Sequence, residues 1–189
     1  IGQGENAVKF ISNNKKYYCG DGTFECLGVW TLNQIINTFY QSYYYKEAFE
    51  AINIILARTD EELINTGHGI QSKTTTLFMS GLIHMKWGEY DKAINNFEEC
   101  LEITKVLERA NVTFDEELLM HRIGLNHYYN GNMKVANEIL LEGIEIWNKY
   151  NINTENISWN GLGQLNVLCG LTSLMNGNIE KAKTTISKV

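Results

Sequence analysis

The sequence predicts an all-α fold in which pairs of helices stack into a solenoid. A pattern of two glycines and an alanine recurs along the chain, with a helix-sized gap between the glycines. The alanines that mark it, Ala48, Ala93, Ala136 and Ala182, lie 45, 43 and 46 residues apart, which is the range expected of stacked helix pairs. Apolar residues recur at helical spacing through most of the chain, and proline is absent. Solenoids of this kind present binding surfaces far more often than catalytic sites.

The two glycines of each copy have different predicted roles. They lie about two helical turns apart, so the first allows the partner helix to approach closely and the second ends its helix in a left-handed turn. The alanine follows about one and a half turns into the second helix, where a larger side chain would push the pair apart. The copies are Gly81, Gly88 and Ala93; Gly124, Gly131 and Ala136; Gly170, Gly177 and Ala182; and a weaker one at Ile36, Tyr43 and Ala48.

The first third of the chain is predicted to form three helices. The first covers residues 5–16 and ends before a Gly-rich turn at 19–22. The second begins at Thr23 and ends near the tyrosine cluster at 43–45, because apolar residues keep helical spacing over that stretch. The third contains the helically spaced apolar residues of 48–56. The clearest loop follows at 65–69.

The remaining helices are predicted as three pairs. The first pair covers 71–87 and 90–109, and the last pair covers 158–176 and 179–189. Between them, a capping box of Thr113 and Glu116 starts a helix that ends at Asn130, and its partner continues to about Tyr150. An Asn-rich connector follows at 151–156. The repeats therefore lie near 23–66, 71–110, 113–151 and 156–189, after a half repeat at 1–19.

Charge and composition narrow the class of protein. The 189 residues carry a formal net charge of -6, which disfavours direct binding to nucleic acid or to anionic membranes. No run approaches the roughly 18 apolar residues of a membrane span, and no signal peptide opens the sequence. We therefore expect residues 1–189 to form one cytoplasmic repeat array. Because the first helix resembles the second half of a repeat, we also expect the chain to be a fragment of a longer protein.

No arrangement of reactive residues predicts catalysis, a metal site or a cofactor. The cysteine spacing matches neither a zinc site nor a redox dithiol, although Cys19 and Cys26 lie close together in a Gly-rich region. Cys100 and Cys169 occupy positions suited to small packed side chains, where free cysteines are common. The acidic clusters lie near helix ends or on outer faces, and the glycines form no phosphate-binding loop.

The repeat positions resemble those of the tetratricopeptide repeat, a family whose pattern alternates large residues, glycines, aromatics and alanines. The best-matching copy is Leu77, Gly81, His84, Gly88, Tyr90, Ala93, Phe97 and Cys100. The resemblance implies a right-handed α-α superhelix of about four helix pairs, in which His84 and His127 share one packing position. The repeats are about ten residues longer than the usual 34 and lack its closing proline. Elongated repeats of this sort are similar to those of maltose-regulator-like and Rap-like bacterial regulators.

In the tetratricopeptide family the first helix of each pair lines a groove that takes a peptide. Carried onto this chain, the groove positions are Trp30, Asn33, Asn37 and Tyr40; Thr75, Phe78, Leu82 and Lys86; His121, Leu125 and Tyr128; and Gln164, Val167 and Leu171. Their mixture of amide, aromatic and apolar side chains suits a peptide with hydrophobic anchors. The basic residues that clamp a chaperone's C-terminus are not reproduced at Thr75 and Met79, so a chaperone co-factor is not expected.

The resemblance and the lack of catalytic residues together favour one class of function. We expect a protein-binding or peptide-binding module, not an enzyme, that serves as the regulatory or scaffolding segment of a larger protein. The alternative is a sensor of a small ligand or signal peptide that controls an attached DNA-binding or enzymatic domain. An enzyme on a helical scaffold would need a polar pocket of convergent carboxylates or histidines, which the sequence does not offer. The incomplete end repeats expose apolar faces that a second copy could cover, as a homodimer.

Overall fold

Helices make up all of the regular structure in the described part of the chain. The computed structural model describes residues 2–21, 23–59, 69–106, 114–150 and 161–187. Every regular element within these ranges is an α-helix, as the periodicity predicts. The chain divides into two compact units, Ile1–Trp87 and Gly88–Val189. The boundary falls within the repeat predicted at 71–110.

The described residues of the first unit form five helices. They are α1 (Gly2–Asn13), α2 (Lys15–Tyr18), α3 (Val29–Gln41), α4 (Tyr45–Leu56) and α5 (Gly69–Trp87). Helix α3 lies at the centre, in contact with α1, α4 and α5. The buried residues of α3 recur at helical spacing and form one face, which packs on the apolar face of α4. This contact holds the two helices together, because each fully buried aliphatic or aromatic side chain stabilises the fold by roughly 1.5–3 kcal/mol. The fully buried side chains of this contact include Leu32, Ile36, Phe39 and Ile52.

The described residues of the second unit also form five helices. They are α6 (Tyr90–Lys105), α7 (Glu116–Tyr129), α8 (Met133–Tyr150), α9 (Gly161–Met175) and α10 (Ile179–Ile186). Each helix packs on the next, and α7 also contacts α9. An apolar cluster of Leu140, Leu165, Leu168 and Cys169 joins α8 to α9. The first helices of two successive predicted repeats, α7 and α9, therefore lie side by side.

The second glycine of each copy ends a helix, as predicted. Gly88, Gly131 and Gly177 have φ angles of 74°, 82° and 78°. At Gly131 the backbone closes a Schellman motif, since Gly131 N–H donates to Tyr128 O and Asn132 N–H donates to His127 O. Tyr43 takes the same place after α3, with φ 66° and the same pair of hydrogen bonds. A side chain with a Cβ therefore occupies a left-handed position that glycine fills elsewhere, at a cost of roughly 1–2 kcal/mol.

The first glycine of two copies lies against the partner helix, again as predicted. A Cβ added at Gly124 would lie 2.7 Å from Leu140 Cγ and 2.8 Å from its Cδ2. A Cβ added at Gly170 would meet Ile186, and its Cδ1 atom would lie 2.8 Å away. Ordinary carbon contacts are 3.5–4.0 Å, so no other residue fits at either position without displacement of the partner.

The structure differs from the predicted helix limits near the N-terminus. The helix predicted from Thr23 begins at Val29, because Asp21 Oδ1 accepts bonds from both the backbone and the hydroxyl of Thr23 at 2.9 Å and holds a turn there. Gly28 then occupies the N-cap with an extended backbone. The first predicted helix is likewise divided, since α1 ends at Asn13 and α2 begins at Lys15.

Smaller differences affect the later limits. Helix α7 begins at Glu116 after Asp115 at the N-cap, and the predicted cap at Thr113 lies outside the described residues. Helix α6 ends at Lys105 rather than 109, and α10 ends at Ile186 rather than 189. The connector at 151–156 and most of the loop at 65–69 also lie outside the described residues.

A disulfide joins Cys19 to Cys26, which the cysteine spacing did not predict. Their Cα atoms lie 5.6 Å apart because the chain reverses direction between α2 and α3. Arg58 holds this reversal from outside, since its guanidinium donates to the carbonyl oxygens of Glu25 and Leu27. Cys100 and Cys169 are free and buried, as expected. Structural disulfides are typical of oxidising compartments, so this bond weighs against the cytoplasmic location that we expected from the sequence.

Candidate functional site

A groove lies between α7 and α9, on the predicted binding face. It encloses about 370 Å³. Helix α7 contributes His121 and Leu125, which are four residues apart and lie on one face of the helix. Helix α9 contributes Gly163, Gln164, Val167, Leu168 and Leu171. The structure thus brings together His121, Leu125 and Gln164 from the predicted set, together with Val167 and Leu171.

The floor of the groove is anchored in the core of the second unit. Leu168 is buried and belongs to the cluster that also contains Leu140, against which Leu125 packs. Above it, Val167 and Leu171 are 43% and 40% exposed. The groove therefore offers apolar area to a ligand on a packed support, because movement of its floor would disturb the contact between α8 and α9.

The described residues that line the groove carry no charge at neutral pH. Among them there is no Asp, Glu, Lys or Arg. Burial lowers the pKa of His121 to about 4, with a smaller contribution from the positive charge of Arg122, so the imidazole is neutral at physiological pH. The Gln164 side chain is exposed at the rim and supplies an amide that can both donate and accept. The arrangement suits an uncharged, partly apolar segment.

Four predicted groove residues lie on α3 in the first unit. Trp30, Asn33, Asn37 and Tyr40 are spaced so that they share one face of the helix. Trp30 is 61% exposed and Asn37 is exposed. Asn33 and Tyr40 are half-buried, because Asn33 Oδ1 accepts a bond from Thr76 on α5 at 3.4 Å and the Tyr40 ring packs 5.6 Å from that of Tyr45.

The predicted residues on α5, and Tyr128 on α7, lie outside the described groove. Phe78 and Leu82 are 8% and 9% exposed, so they offer little surface to a ligand, whereas Lys86 is exposed. Thr75 is half-buried and its hydroxyl donates to the carbonyl of Gln71. Tyr128 packs edge-on against Tyr129 and on the Leu140 cluster. The repeat pattern locates these positions correctly on the first helices but does not report how much of each side chain its neighbours cover.

A buried polar cluster that the sequence analysis missed fixes α9 against α8. The Asn137 amide nitrogen lies 3.0 Å from Cys169 O, 2.9 Å from Thr172 Oγ1 and 2.8 Å from Ser173 Oγ. Lys181 Nζ on α10 donates to Asn137 Oδ1 at 3.4 Å. Hydrogen bonds between buried groups are directional, so this cluster sets the register of α9, and with it the positions of the groove residues. The signal in the sequence is the polar pair at 172–173, flanked by Leu171 and Leu174.

Two other features are absent from the described ranges. Within them, no three His, Cys, Asp or Glu side chains lie together in a way that could hold a metal ion. No helix among the described residues is both long and apolar enough to cross a bilayer.

Comparison with known proteins identifies the type of repeat. Residues 74–106 match the family model of the tetratricopeptide repeat. No curated protein sequence matches the chain significantly. Two solved structures of nearly identical TPR-like repeats, from a Podosopora anserina protein provisionally named a kinesin light chain, have the same fold. One, a point-substituted form, has a TM-score of 0.72 at 15% identity and covers 99% of this chain and 85% of its own. The other has a TM-score of 0.71 at 14% identity and covers 98% and 85%.

The agreement extends over nearly the whole chain, whereas the family model matches one repeat. At this level of identity the likeness concerns the fold, and it confirms the predicted class of an all-α, tetratricopeptide-like solenoid. Tetratricopeptide repeats are in general protein-interaction modules and are typically not catalytic. The chain therefore contains a match to the tetratricopeptide repeat at residues 74–106 and has the fold of a tetratricopeptide-like helical repeat protein.

Proposed function

We propose that this chain is a peptide-binding module that holds an uncharged, partly apolar segment of a protein partner in the groove between α7 and α9. The observation that carries the proposal is the convergence of exposed Gln164, Val167 and Leu171 with half-buried Leu125 in one groove of about 370 Å³. His121 is 6% exposed and supports this surface from below the rim rather than offering much area to a ligand. These residues come from the first helices of successive repeats, the elements that line the peptide groove in the tetratricopeptide family.

The lining indicates how a segment would bind. Two apolar side chains of the ligand would cover Val167 and Leu171, and the Gln164 amide would hold the ligand backbone. Because none of the described residues that line the groove is charged, binding should change little between low and moderate salt. We propose further that the module serves as a regulatory or scaffolding segment of a larger assembly, since neither role requires a catalytic group.

The test begins with a peptide selected from a displayed library of random 12-residue sequences on the purified protein. Its dissociation constant is then measured by fluorescence anisotropy for the parent, for Val167→Ser with Leu171→Ser, and for a matched control, Leu56→Ser with Val135→Ser. The control residues are 37% and 41% exposed and lie outside the groove. Loss of two apolar contacts of roughly 1–1.5 kcal/mol each should weaken binding about 30-fold or more in the groove variant.

Equal affinity in all three proteins would exclude the groove as the binding site. Equal weakening in both double variants would show that the peptide recognises exposed apolar surface in general. The sensor alternative makes a different prediction, because a small ligand that fills the groove should raise the melting temperature of the parent and compete with the selected peptide.

A further inference from the structure

A second crevice lies among α6, α7 and α8. It encloses about 320 Å³, and its floor includes Leu101, Met120 and Ile123, which are 7%, 3% and 2% exposed. Met120 and Ile123 lie on the face of α7 roughly opposite to His121 and Leu125, because residues one apart on a helix differ by about 100°. The crevice is therefore separate from the groove between α7 and α9.

Carboxylates surround this apolar floor. Glu98 and Glu102 rise from α6, and Glu142 rises from α8. Lys105 Nζ lies 3.4 Å from a carboxylate oxygen of Glu102, and both side chains are well exposed. Among the described residues no salt bridge joins Lys or Arg to Glu98 or Glu142. The half-buried imidazole of His127 lies close enough for Glu98 to raise its pKa, against a larger lowering by burial. Within the described ranges, neither carboxylate is therefore neutralised by a Lys or Arg side chain.

We propose that this crevice binds a basic amphipathic segment of a protein partner, with one bulky apolar side chain in the crevice and Lys or Arg on either side of it. The choice of a basic partner rests on charge complementarity. The floor is apolar and small, at the lower end of the roughly 300–1,000 Å³ typical of ligand pockets, so it fits a side chain or two rather than a cofactor. The rim is acidic and exposed, so flanking cations gain attraction without being buried.

The charge of the chain supports the same choice. Of the 22 acidic residues, 14 lie in residues 88–189, against 9 of the 16 basic ones, so this part of the sequence carries a formal charge of -5. The negative electrostatic potential of this part of the chain attracts a basic segment towards the crevice and repels an acidic one. The sign of the charge and the apolar floor together define the partner as cationic and amphipathic.

The test uses two fluorescein-labelled 14-residue peptides with leucine at the same helically spaced positions, one with lysine and one with glutamate elsewhere. The lysine peptide should bind the parent, and binding should weaken about 10-fold in Glu98→Gln with Glu142→Gln. The matched control, Glu138→Gln with Glu145→Gln, removes two exposed carboxylates of α8 outside the crevice and should change binding less than about 3-fold. Ile139→Ser, at the half-buried edge of the apolar lining, should also weaken binding.

Several results would overturn the proposal. Equal weakening in both double variants would mean that the peptide responds only to net charge. Binding of the glutamate peptide would remove the charge argument, and no binding of the lysine peptide at 1 mM would remove the site. Concentration-dependent self-association of the parent in sedimentation, lost in Glu98→Gln with Glu142→Gln, would assign the crevice to a second copy of the chain instead.

Discussion

The contact between Gly124 and Leu140 can be tested by the addition of one methyl group. In Gly124→Ala the new Cβ would lie 2.7 Å from Leu140 Cγ and 2.8 Å from Cδ2. Ordinary carbon contacts need about 3.5–4.0 Å, so α7 and α8 must move apart by roughly 1 Å or Leu140 must leave its position. Leu140 is fully buried, so it cannot avoid the added methyl group by turning into solvent.

The expected magnitude is a balance of two effects. Overpacking of a well-filled core costs roughly 1–3 kcal/mol. Alanine is favoured over glycine inside a helix by about 0.8–1 kcal/mol, which offsets part of that cost. The net loss of unfolding free energy should therefore be at most about 2 kcal/mol. Gly170→Ala should cost less, because the Ile186 side chain that it meets is 44% exposed and can move into solvent.

A double-mutant cycle separates the contact from general instability. Leu140→Ala alone should cost roughly 2–5 kcal/mol, because it leaves a cavity. In the double variant Gly124→Ala with Leu140→Ala the clash is absent, so the total should be about 2 kcal/mol less than the sum of the two single losses. The control cycle pairs Gly124→Ala with Ile186→Ala, which do not contact each other and should be additive.

The measurement is urea unfolding followed by both circular dichroism and tryptophan fluorescence, since coincident curves are needed before a single free energy is assigned. Additive losses in the Gly124 and Leu140 cycle would refute the close contact. So would a rise in stability of Gly124→Ala by the full helix-propensity difference, because it would mean that the added methyl group meets nothing.

The left-handed tyrosine, the disulfide and the groove histidine give three further predictions. Tyr43→Gly should stabilise the first unit by about 0.5–1 kcal/mol in the same urea assay, because relief of the left-handed strain exceeds the added backbone entropy of glycine; a lower midpoint would contradict this. Reduction of the Cys19–Cys26 bond should lower stability by roughly 2–3 kcal/mol through the loss of loop closure. Native thiol titration should find no reactive thiol before reduction and two afterwards, since burial raises the pKa of the Cys100 thiol to about 12. The pKa of His121 is about 4 in the folded chain and about 6.5 in the unfolded one. The unfolded chain therefore takes up the proton first, and stability that is complete above pH 6.5 should fall by up to about 3 kcal/mol between pH 6.5 and 4. His121→Phe should remove this part of the pH dependence, and an identical slope in the variant would show that other groups cause it.

The features of the fold that sequence reasoning predicts are those with local causes. Gly131 and Gly177 end their helices because the left-handed position needs no partner beyond the same turn. The start of α3 was predicted six residues too early, because helical periodicity does not report that Asp21 captures Thr23 in a turn. The Cys19–Cys26 bond was missed for a related reason, since it depends on a chain reversal between helices rather than on spacing.

For the candidate site, too, the sequence predicts some properties and not others. Repeat equivalence places Phe78, His121 and Val167 at one position of three successive repeats, yet they are 8%, 6% and 43% exposed. The position is a property of the sequence, whereas the exposure depends on which side chains the neighbouring helices bring. The groove could therefore be located from the pattern, but its usable surface could not. The Asn137 cluster that fixes its register depends on contacts among three helices and has only a weak trace in the sequence.

The two proposed surfaces lie on different faces of α7 and should respond differently to salt. On one face, His121 and Leu125 line a groove whose described lining residues are all uncharged at neutral pH. On the other, Met120 and Ile123 form part of a floor surrounded by carboxylates. Salt at a few hundred millimolar shortens the Debye length to well under 10 Å, so it should weaken a cationic peptide in the crevice and leave an uncharged peptide in the groove nearly unaffected. Because both surfaces include α7, a displacement of this helix by Gly124→Ala would change both affinities. A change in salt should affect only the affinity of the cationic peptide for the crevice. The two perturbations together therefore distinguish two separate sites that both depend on α7 from a single site that binds both peptides.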